Sequence, residues 1–299
     1  VSADEEELDM PKVAVITDSC ASLPDGFYER YDIAMVPYYV HVGKQSFRDL
    51  IDITREEFLD HVRKADPLPK SANPGPNDYI EFFREAADRT DEILAVCMTS
   101  IGSGAYQAAL LAKQMALHEF PEVRIEVVDT RNVSMGHGWM ALEAARAAQA
   151  GASLDDILAL LGRMIPVTQM LQTADTLRYL YLGGRIGRAK HLVGSLLRIK
   201  PIISMEDGVI VALGQERSRQ AVYRRMMELV TGQVGEGGRI KAAVVHAADE
   251  QAAARLSQMV ADSFDCVELL TTNLSSALAV HTGPGTVGLC YFPVDVLEH

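Results

Sequence analysis

The chain alternates short runs of β-forming residues with polar loops and with stretches whose apolar positions recur at helical spacing. Lys12 to Thr17 reads as a short buried strand, followed by the polar loop Asp18-Ser19-Cys20-Ala21-Ser22-Leu23-Pro24. Ala34 to Val40 is again rich in β-formers, and Pro37 within it predicts an edge strand or a bulge, because proline has no N–H to give a ladder. Thr54-Arg55-Glu56-Glu57 has capping-box spacing, with Phe58 and Val62 on one helical face behind it. The prolines of Lys70-Ser71-Ala72-Asn73-Pro74-Gly75-Pro76-Asn77 argue against regular structure and put Ser71 on a stiff, exposed turn. Asn77 is then the expected cap of a helix carrying Ile80, Phe83 and Ala87. The apolar run Ile93 to Met98 ends in the polar turn Thr99-Ser100-Ile101-Gly102-Ser103-Gly104-Ala105-Tyr106, and Gln107 to His118 is helix-like. Arg124 to Val128 forms another strand, ending in Asp129-Thr130-Arg131-Asn132-Val133-Ser134. Strand, polar loop and helix thus recur before residue 150, which predicts a mostly parallel sheet covered by helices, its polar loops gathered at one edge.

Ser153-Leu154-Asp155-Asp156 starts a helix with Leu154, Ile157, Leu158 and Leu161 as its core stripe, and beyond it the pattern changes. Val167 to Thr173, Pro201 to Met205, Val209 to Leu213, Arg239 to His246, Cys266 to Leu270 and Val287 to Phe292 are strand-like. Glu206-Asp207-Gly208 fits a hairpin turn, and helices are expected near residues 216 to 230 and 249 to 262. The expected architecture is α/β in two domains. Residues 11–160 form a mostly parallel sheet with flanking helices, and residues 161–296 form an α/β domain with a mixed or antiparallel sheet. Gly151 and Pro166 bracket the helix at the boundary.

Composition narrows the class. A chain of 299 residues is long enough for two buried cores, and 48% hydrophobic with 23% charged residues is an ordinary globular balance. The net charge of -13 argues against a non-specific nucleic-acid binder, which needs a broad basic face. Cys20, Cys97, Cys266 and Cys290 are far apart without metal-ligand spacing, which fits reduced thiols in a cytoplasmic setting. Val1 to Glu7 is acidic and lacks the apolar core of a signal peptide, so it is expected to fray. No apolar run is long enough to cross a bilayer, and Leu297-Glu298-His299 resembles the start of a tag linker.

Three segments carry candidate chemistry. In 99–106, hydroxyls and glycines stand where a buried strand hands over to a helix, the usual place for a ligand in an open α/β sheet and one whose free N–H groups attract anions. Ser103 alone is also explained as a helix cap. Between residues 178 and 200, Arg178, Arg185, Arg188, Lys190, Arg198 and Lys200 occur with no acidic residue, which suits an acidic partner or a phosphate. Ser275-Ser276 opens an apolar helical turn, and His281-Thr282-Gly283-Pro284-Gly285 fixes a tight turn beside one imidazole.

The stretches VAVITDSCASLP, SANPGP, TSIGSGAYQAA, VVDTRNVSMGHG, LRYLYLGGRIGRAKHLVGSLLRIKPII and HTGPGTVGL, in this order, resemble the motifs of the DegV family of bacterial fatty-acid-binding proteins, over about residues 12 to 292. The resemblance implies two α/β domains with one long-chain fatty acid between them, its carboxyl near the surface and its chain buried. It implies no cofactor, no metal and no catalysis by the carrier itself. It also implies a fatty-acid kinase as partner, forming acyl phosphate for phospholipid synthesis, with transient exchange at membrane surfaces. Ser103 matches the serine that binds the carboxylate, Gly104 the glycine after it, Ser71 a head-group hydroxyl that is usually threonine, and His281 the histidine of the Gly-Pro-Gly motif. Arg185 matches the arginine of the Gly-Gly-Arg-Ile segment, which with Arg188, Arg198 and Lys200 is the expected kinase-docking surface. Ala105 and Ala72-Asn73 depart from the family pattern and remove hydroxyls around the head group.

Other readings of the same residues are weaker. Ser103, His281 and Asp18 supply the members of a hydrolase triad, yet Ile101-Gly102-Ser103-Gly104-Ala105 departs from Gly-x-Ser-x-Gly at its first position. A kinase resembling dihydroxyacetone kinases lacks a nucleotide phosphate loop here. A small-molecule sensor on the same fold is the remaining alternative.

Overall fold

The alternation of strands and helices is realised in the computed structural model, which describes residues 12–64, 68–195 and 199–298. In chain order the strands are β1 (Val13–Asp18), β2 (Ile33–Val36), β3 (Tyr39–Val42), β4 (Gln45–Arg48), β5 (Lys70–Ala72), β6 (Glu92–Cys97), β7 (Arg124–Asp129), β8 (Gln169–Thr173), β9 (Lys200–Glu206), β10 (Val209–Glu216), β11 (Gly237–His246), β12 (Phe264–Asn273) and β13 (Val287–Pro293). The helices are α1 (Phe27–Arg30), α2 (Arg55–Lys64), α3 (Pro76–Ala87), α4 (Ala105–Glu119), α5 (Ser134–Gln149), α6 (Leu154–Met164), α7 (Arg178–Leu182), α8 (Arg219–Val234), α9 (Glu250–Ser263) and α10 (Ser276–Thr282). The expectations for residues 1–7, Arg198 and His299 fall outside the described residues.

The first sheet has the order β2-β1-β6-β7 and is parallel throughout. Strands such as β6, buried along nearly its whole length, need cover on both faces. Tyr79 and Phe83 of α3 and Ala108, Ala109 and Ala112 of α4 cover one face. Met135, Trp139 and Leu142 of α5 cover the other. The second sheet has the order β10-β9-β8-β13-β11-β12 and is mixed, because only β11 and β12 run parallel. Val222 and Met226 of α8 and Leu256 and Val260 of α9 cover its outer face.

Its inner face meets α5, so this helix is packed from both sides and is apolar around most of its circumference. Trp139 shows the consequence: its Nε1 donates to the Cys290 carbonyl at 3.3 Å, and its ring stands edge-on to Phe292 at 5.5 Å between centroids. Burying an indole is favourable only where its N–H finds such an acceptor.

A third, antiparallel sheet, β4-β3-β5, corrects two expectations. The run Ala34 to Val40 is two strands: the chain leaves the parallel sheet at Val36, passes Pro37, and enters the small sheet at Tyr39. Lys70-Ser71-Ala72, expected to be irregular with Ser71 exposed, forms β5 opposite His41, Val40 and Tyr39, and Ser71 is half-buried. The prolines act only beyond it, where Gly75 rather than Asn77 caps α3. Pro76 opens that helix, and the Asp78 carboxylate accepts the Gly75 N–H at 2.6 Å.

Candidate functional site

Helix α10 sets the site. Its start is tied to the first half of the chain: the buried Asp49 carboxylate accepts the N–H groups of Ser276 at 3.0 Å and Ala277 at 3.2 Å and the Ser19 hydroxyl at 2.9 Å. The Ser275 N–H donates to Ser22 Oγ at 3.1 Å, and the Ser275 side chain caps the helix. Negative charge at a helix N-terminus is favourable, while burial pushes the Asp49 carboxyl up from its ordinary value. Ala277, Leu278 and His281 then share one face of the helix and, with Leu274 just ahead of its cap, line a cavity of ≈ 720 Å³. The opposing wall is the inner face of the second sheet, with Met170 and Gln172 of β8 and Ile203 and Met205 of β9. The loop after β6, with Thr99, Ile101, Gly102, Ser103 and Gly104, closes one side at the C-terminal edge of the parallel sheet.

The β9–β10 hairpin locks this loop. Asp207 and Gly208 both have positive φ, 49° and 77°, as a tight hairpin turn requires. Thr99 Oγ1 donates to the Gly208 carbonyl at 2.9 Å, and a Cβ on Gly208 would lie 2.5 Å from that same oxygen. The contact therefore demands glycine both for its turn and for its closeness.

The sequence-derived head-group residues come together around this cavity. Ser71, Ser103, Gly104 and His281 all line it, from β5, the β6–α4 loop and α10. Ser103 Oγ lies 2.7 Å from the Tyr38 hydroxyl and accepts the Ala105 N–H at 3.3 Å. Of the two hydroxyl protons in the Tyr38–Ser103 pair, one bridges the oxygens and the other is free for a ligand acceptor. Burial pushes the Tyr38 phenol well above its ordinary value, so it stays protonated. Ser71 Oγ lies 2.7 Å from His281 Nε2. Burial, and secondarily the Arg185 charge, lowers the His281 pKa to about 4, so its imidazole is neutral at pH 7. With the ring proton on Nε2, His281 donates to Ser71 and leaves the serine O–H for a ligand. Gly104 is exposed, and the Asn73 side chain lies beside it, with Oδ1 3.1 Å from where a Cβ would stand.

The Gly-Gly-Arg-Ile segment meets the histidine directly. A Cβ on Gly183 would lie 2.4 Å from His281 Nδ1, so only glycine admits the ring. Arg185 is exposed, lines the cavity and donates through Nη1 to the Gly183 carbonyl at 2.7 Å. The other basic side chains are less free than the charge count implied: Arg188 pairs with Glu206 at 2.8 Å and Lys200 with Asp175 at 2.7 Å.

The hydrolase triad is not assembled. Asp18 accepts the N–H groups of Cys20 and Met98 at 2.9 and 3.2 Å, and it faces His137 at 3.9 Å. Ser103 is partnered by Tyr38 and His281 by Ser71. Sequence reasoning missed Tyr38, Asp49 and Gln172. Tyr38 lay inside a run read only as β-forming, and neither Asp49 nor Gln172 carries a local pattern. Among the described residues no cluster of His, Cys, Asp and Glu suits a metal ion, and no helix is long and apolar enough to cross a membrane.

Comparison with known proteins adds an independent line. Residues 12–294 match the profile of the family described as "Uncharacterised protein, DegV family". A DegV domain-containing protein of Streptomyces coelicolor is 32% identical over 279 residues, which cover 93% of this chain and 97% of that one. Among solved structures, a DegV family protein of Thermus thermophilus described by its fatty-acid binding superposes with a TM-score of 0.88 at 33% identity, over 94% of this chain and 99% of that one. A stearic-acid-binding protein of Eubacterium ventriosum superposes with a TM-score of 0.87 at 26% identity, over 97% and 100% of the two chains.

Proposed function

The chain belongs to the DegV family, and we propose that it is a carrier holding one long-chain fatty acid between a first unit of residues 11–160 and a second of residues 161–296. The carboxylate binds Ser103, the Gly104 N–H and the Ser71 hydroxyl, which His281 orients from behind, and the acyl chain runs inward past Leu278, Ile203, Met205 and Met170. The observation that carries this reading is the convergence of hydroxyls and a neutral imidazole from three separate segments on one cavity of ≈ 720 Å³ whose deeper walls are largely apolar. That size and that distribution of polar groups are those of a small-molecule site.

The energetics divide the labour. Burying a chain of about sixteen carbons contributes on the order of 10 kcal/mol at ~0.8 per methylene, whereas one charge-assisted hydrogen bond contributes about 1.5 to 3. The tail therefore sets affinity and the head group sets orientation. A carboxylate held by hydroxyls backed by a neutral histidine keeps an oxygen able to accept a phosphoryl group. The carrier presents it to a fatty-acid kinase, with Arg185 at the docking surface, and the acyl phosphate enters phospholipid synthesis. The carrier itself performs no catalysis, in keeping with Ser103 and His281 being engaged by different partners.

Mass spectrometry of the purified protein, native and then denatured, with lipids extracted from the same sample, tests the binding. A non-covalent adduct of fatty-acid mass near one per chain is expected. An empty protein that also takes up no added fatty acid overturns the reading.

A further inference from the structure

Gln172 interrupts the apolar wall of the cavity. It sits on the inner face of β8, two residues from Met170 and directly opposite Ile203 of β9, and all three line the cavity. The side chain is 3% exposed, and its Nε2 has no hydrogen-bond partner among the described residues. A second polar group lines the same cavity in the same condition: Thr282 is 9% exposed, and its Oγ1 also lacks a partner among the described residues. Topology places the two at the same end. Strand β13 begins at Val287 opposite Thr173, shortly after α10 ends at Thr282, so the C-terminal ends of β8 and α10 lie together, on the His281 side. Met170, near the start of β8, and Leu274, just ahead of α10, lie at the opposite end.

A buried amide N–H left without a partner is costly, and a saturated acyl chain lying against it supplies none. A leucine at this position would serve a purely hydrocarbon tail better. What satisfies both groups is an oxygen on the ligand. A hydroxyl accepts from an amide N–H or donates to an amide oxygen, so it suits Gln172 whichever way its amide is turned, and it can also meet the Thr282 hydroxyl. Resting on the fatty-acid reading above, we infer that this cavity selects acyl chains bearing a hydroxyl or oxo group in the half of the chain nearer the carboxylate, with Gln172 as the specificity-determining residue and Thr282 as its second contact.

The test compares dissociation constants of palmitate with those of hydroxypalmitates whose hydroxyl is stepped along the chain, for the full chain and for Gln172→Leu and Thr282→Val. Retained thermal unfolding midpoints identify variants that fold normally. The expected result is that one proximal hydroxy isomer binds about tenfold more tightly than palmitate, as one satisfied buried hydrogen bond implies. In Gln172→Leu that preference disappears and palmitate binds more tightly than it does to the unaltered chain. Thr282→Val, which exchanges the hydroxyl for a methyl of similar size, narrows the preference without abolishing it. Palmitate binding with no preference for any hydroxy isomer overturns the inference and leaves the carrier reading standing, as does a preference that survives Gln172→Leu. Failure of palmitate and all its derivatives to bind overturns the carrier reading itself.

Discussion

Ser71 and His281, 210 positions apart in the chain, meet at 2.7 Å between Oγ and Nε2. One comes from a three-residue edge strand and the other from the last turn of a seven-residue helix, so neither is held by a long element of its own. Asp49 and Ser22 fix the start of α10, and pairing with β3 fixes β5, so the contact depends on anchoring that reaches across the two halves of the fold.

Removing the hydroxyls separates orientation from affinity. Ser103→Ala and Ser71→Ala each delete one of the hydrogen bonds proposed to the carboxylate and are expected to weaken fatty-acid binding about five- to tenfold. The double variant Ser103→Ala with His281→Ala loses more. Tryptophan or probe fluorescence titration with palmitate measures it, and an unchanged affinity in the double variant removes these residues from the head-group site.

The parallel half was legible because its strands are buried on both faces and its loops carry glycine and hydroxyl groups, both of which leave local signatures. Asp207-Gly208 was legible for the same reason, since a hairpin turn states its conformational demand in two residues. The edge strand Lys70–Ala72 was not: three residues beside prolines show no periodicity, and only their partners on β3 make them a strand. Tyr38 reaches Ser103 across 65 positions, and its hydroxyl stands beside the proposed head-group serine, where Ala105 and Ala72 offer none. Such a contact has no expression in spacing along the chain.

Tyr38→Phe tests that contact with little disturbance, because the ring continues to fill its buried site. It removes one of the two hydroxyls in the pair, and the remaining Ser103 proton is no longer oriented by a neighbour. Fatty-acid affinity is expected to fall about threefold to tenfold while the unfolding midpoint changes little. A wild-type affinity in Tyr38→Phe separates the phenol from ligand binding.

Gly183→Ala acts on His281 without touching the ligand. The backbone at Gly183 has φ of -74°, so alanine is conformationally acceptable there, but its Cβ would lie 2.4 Å from His281 Nδ1. The imidazole or α7 must shift, at a cost of about 1–3 kcal/mol for such overpacking. Binding is expected to weaken with the fold intact, and NMR of the His281 ring reports the displacement. A variant that binds normally with an unmoved ring shows the segment to be more compliant than its packing indicates.

The lowered pKa of His281 makes stability depend on pH in one direction. Its folded value of about 4 lies below the ordinary 6.5, so between these values the unfolded chain binds the proton more readily. The histidine's contribution is fully present above pH 6.5 and is lost progressively as the pH falls towards 4. Urea midpoints measured across this window should decline less steeply for His281→Gln than for the unaltered chain. Identical slopes show that another group carries the dependence.

Arg185 tests the division between holding a fatty acid and passing it on. Its guanidinium is exposed and donates to the Gly183 carbonyl, whereas Arg188 and Lys200 are engaged by Glu206 and Asp175. Arg185→Ala removes no hydroxyl from the carboxylate and no apolar wall from the tail, so fatty-acid affinity should change less than about threefold. Its loss also relieves the charge that depresses His281, which moves that pKa upward without bringing it to neutrality, because burial is the larger cause. With a fatty-acid kinase supplied, acyl phosphate formation should fall by about tenfold or more, as expected for a charge removed from a docking contact. Reconstituted phosphorylation of the bound fatty acid, measured beside the binding titration, compares the two. Equal losses of binding and phosphorylation assign Arg185 to the fatty-acid site, and normal phosphorylation removes it from the docking surface.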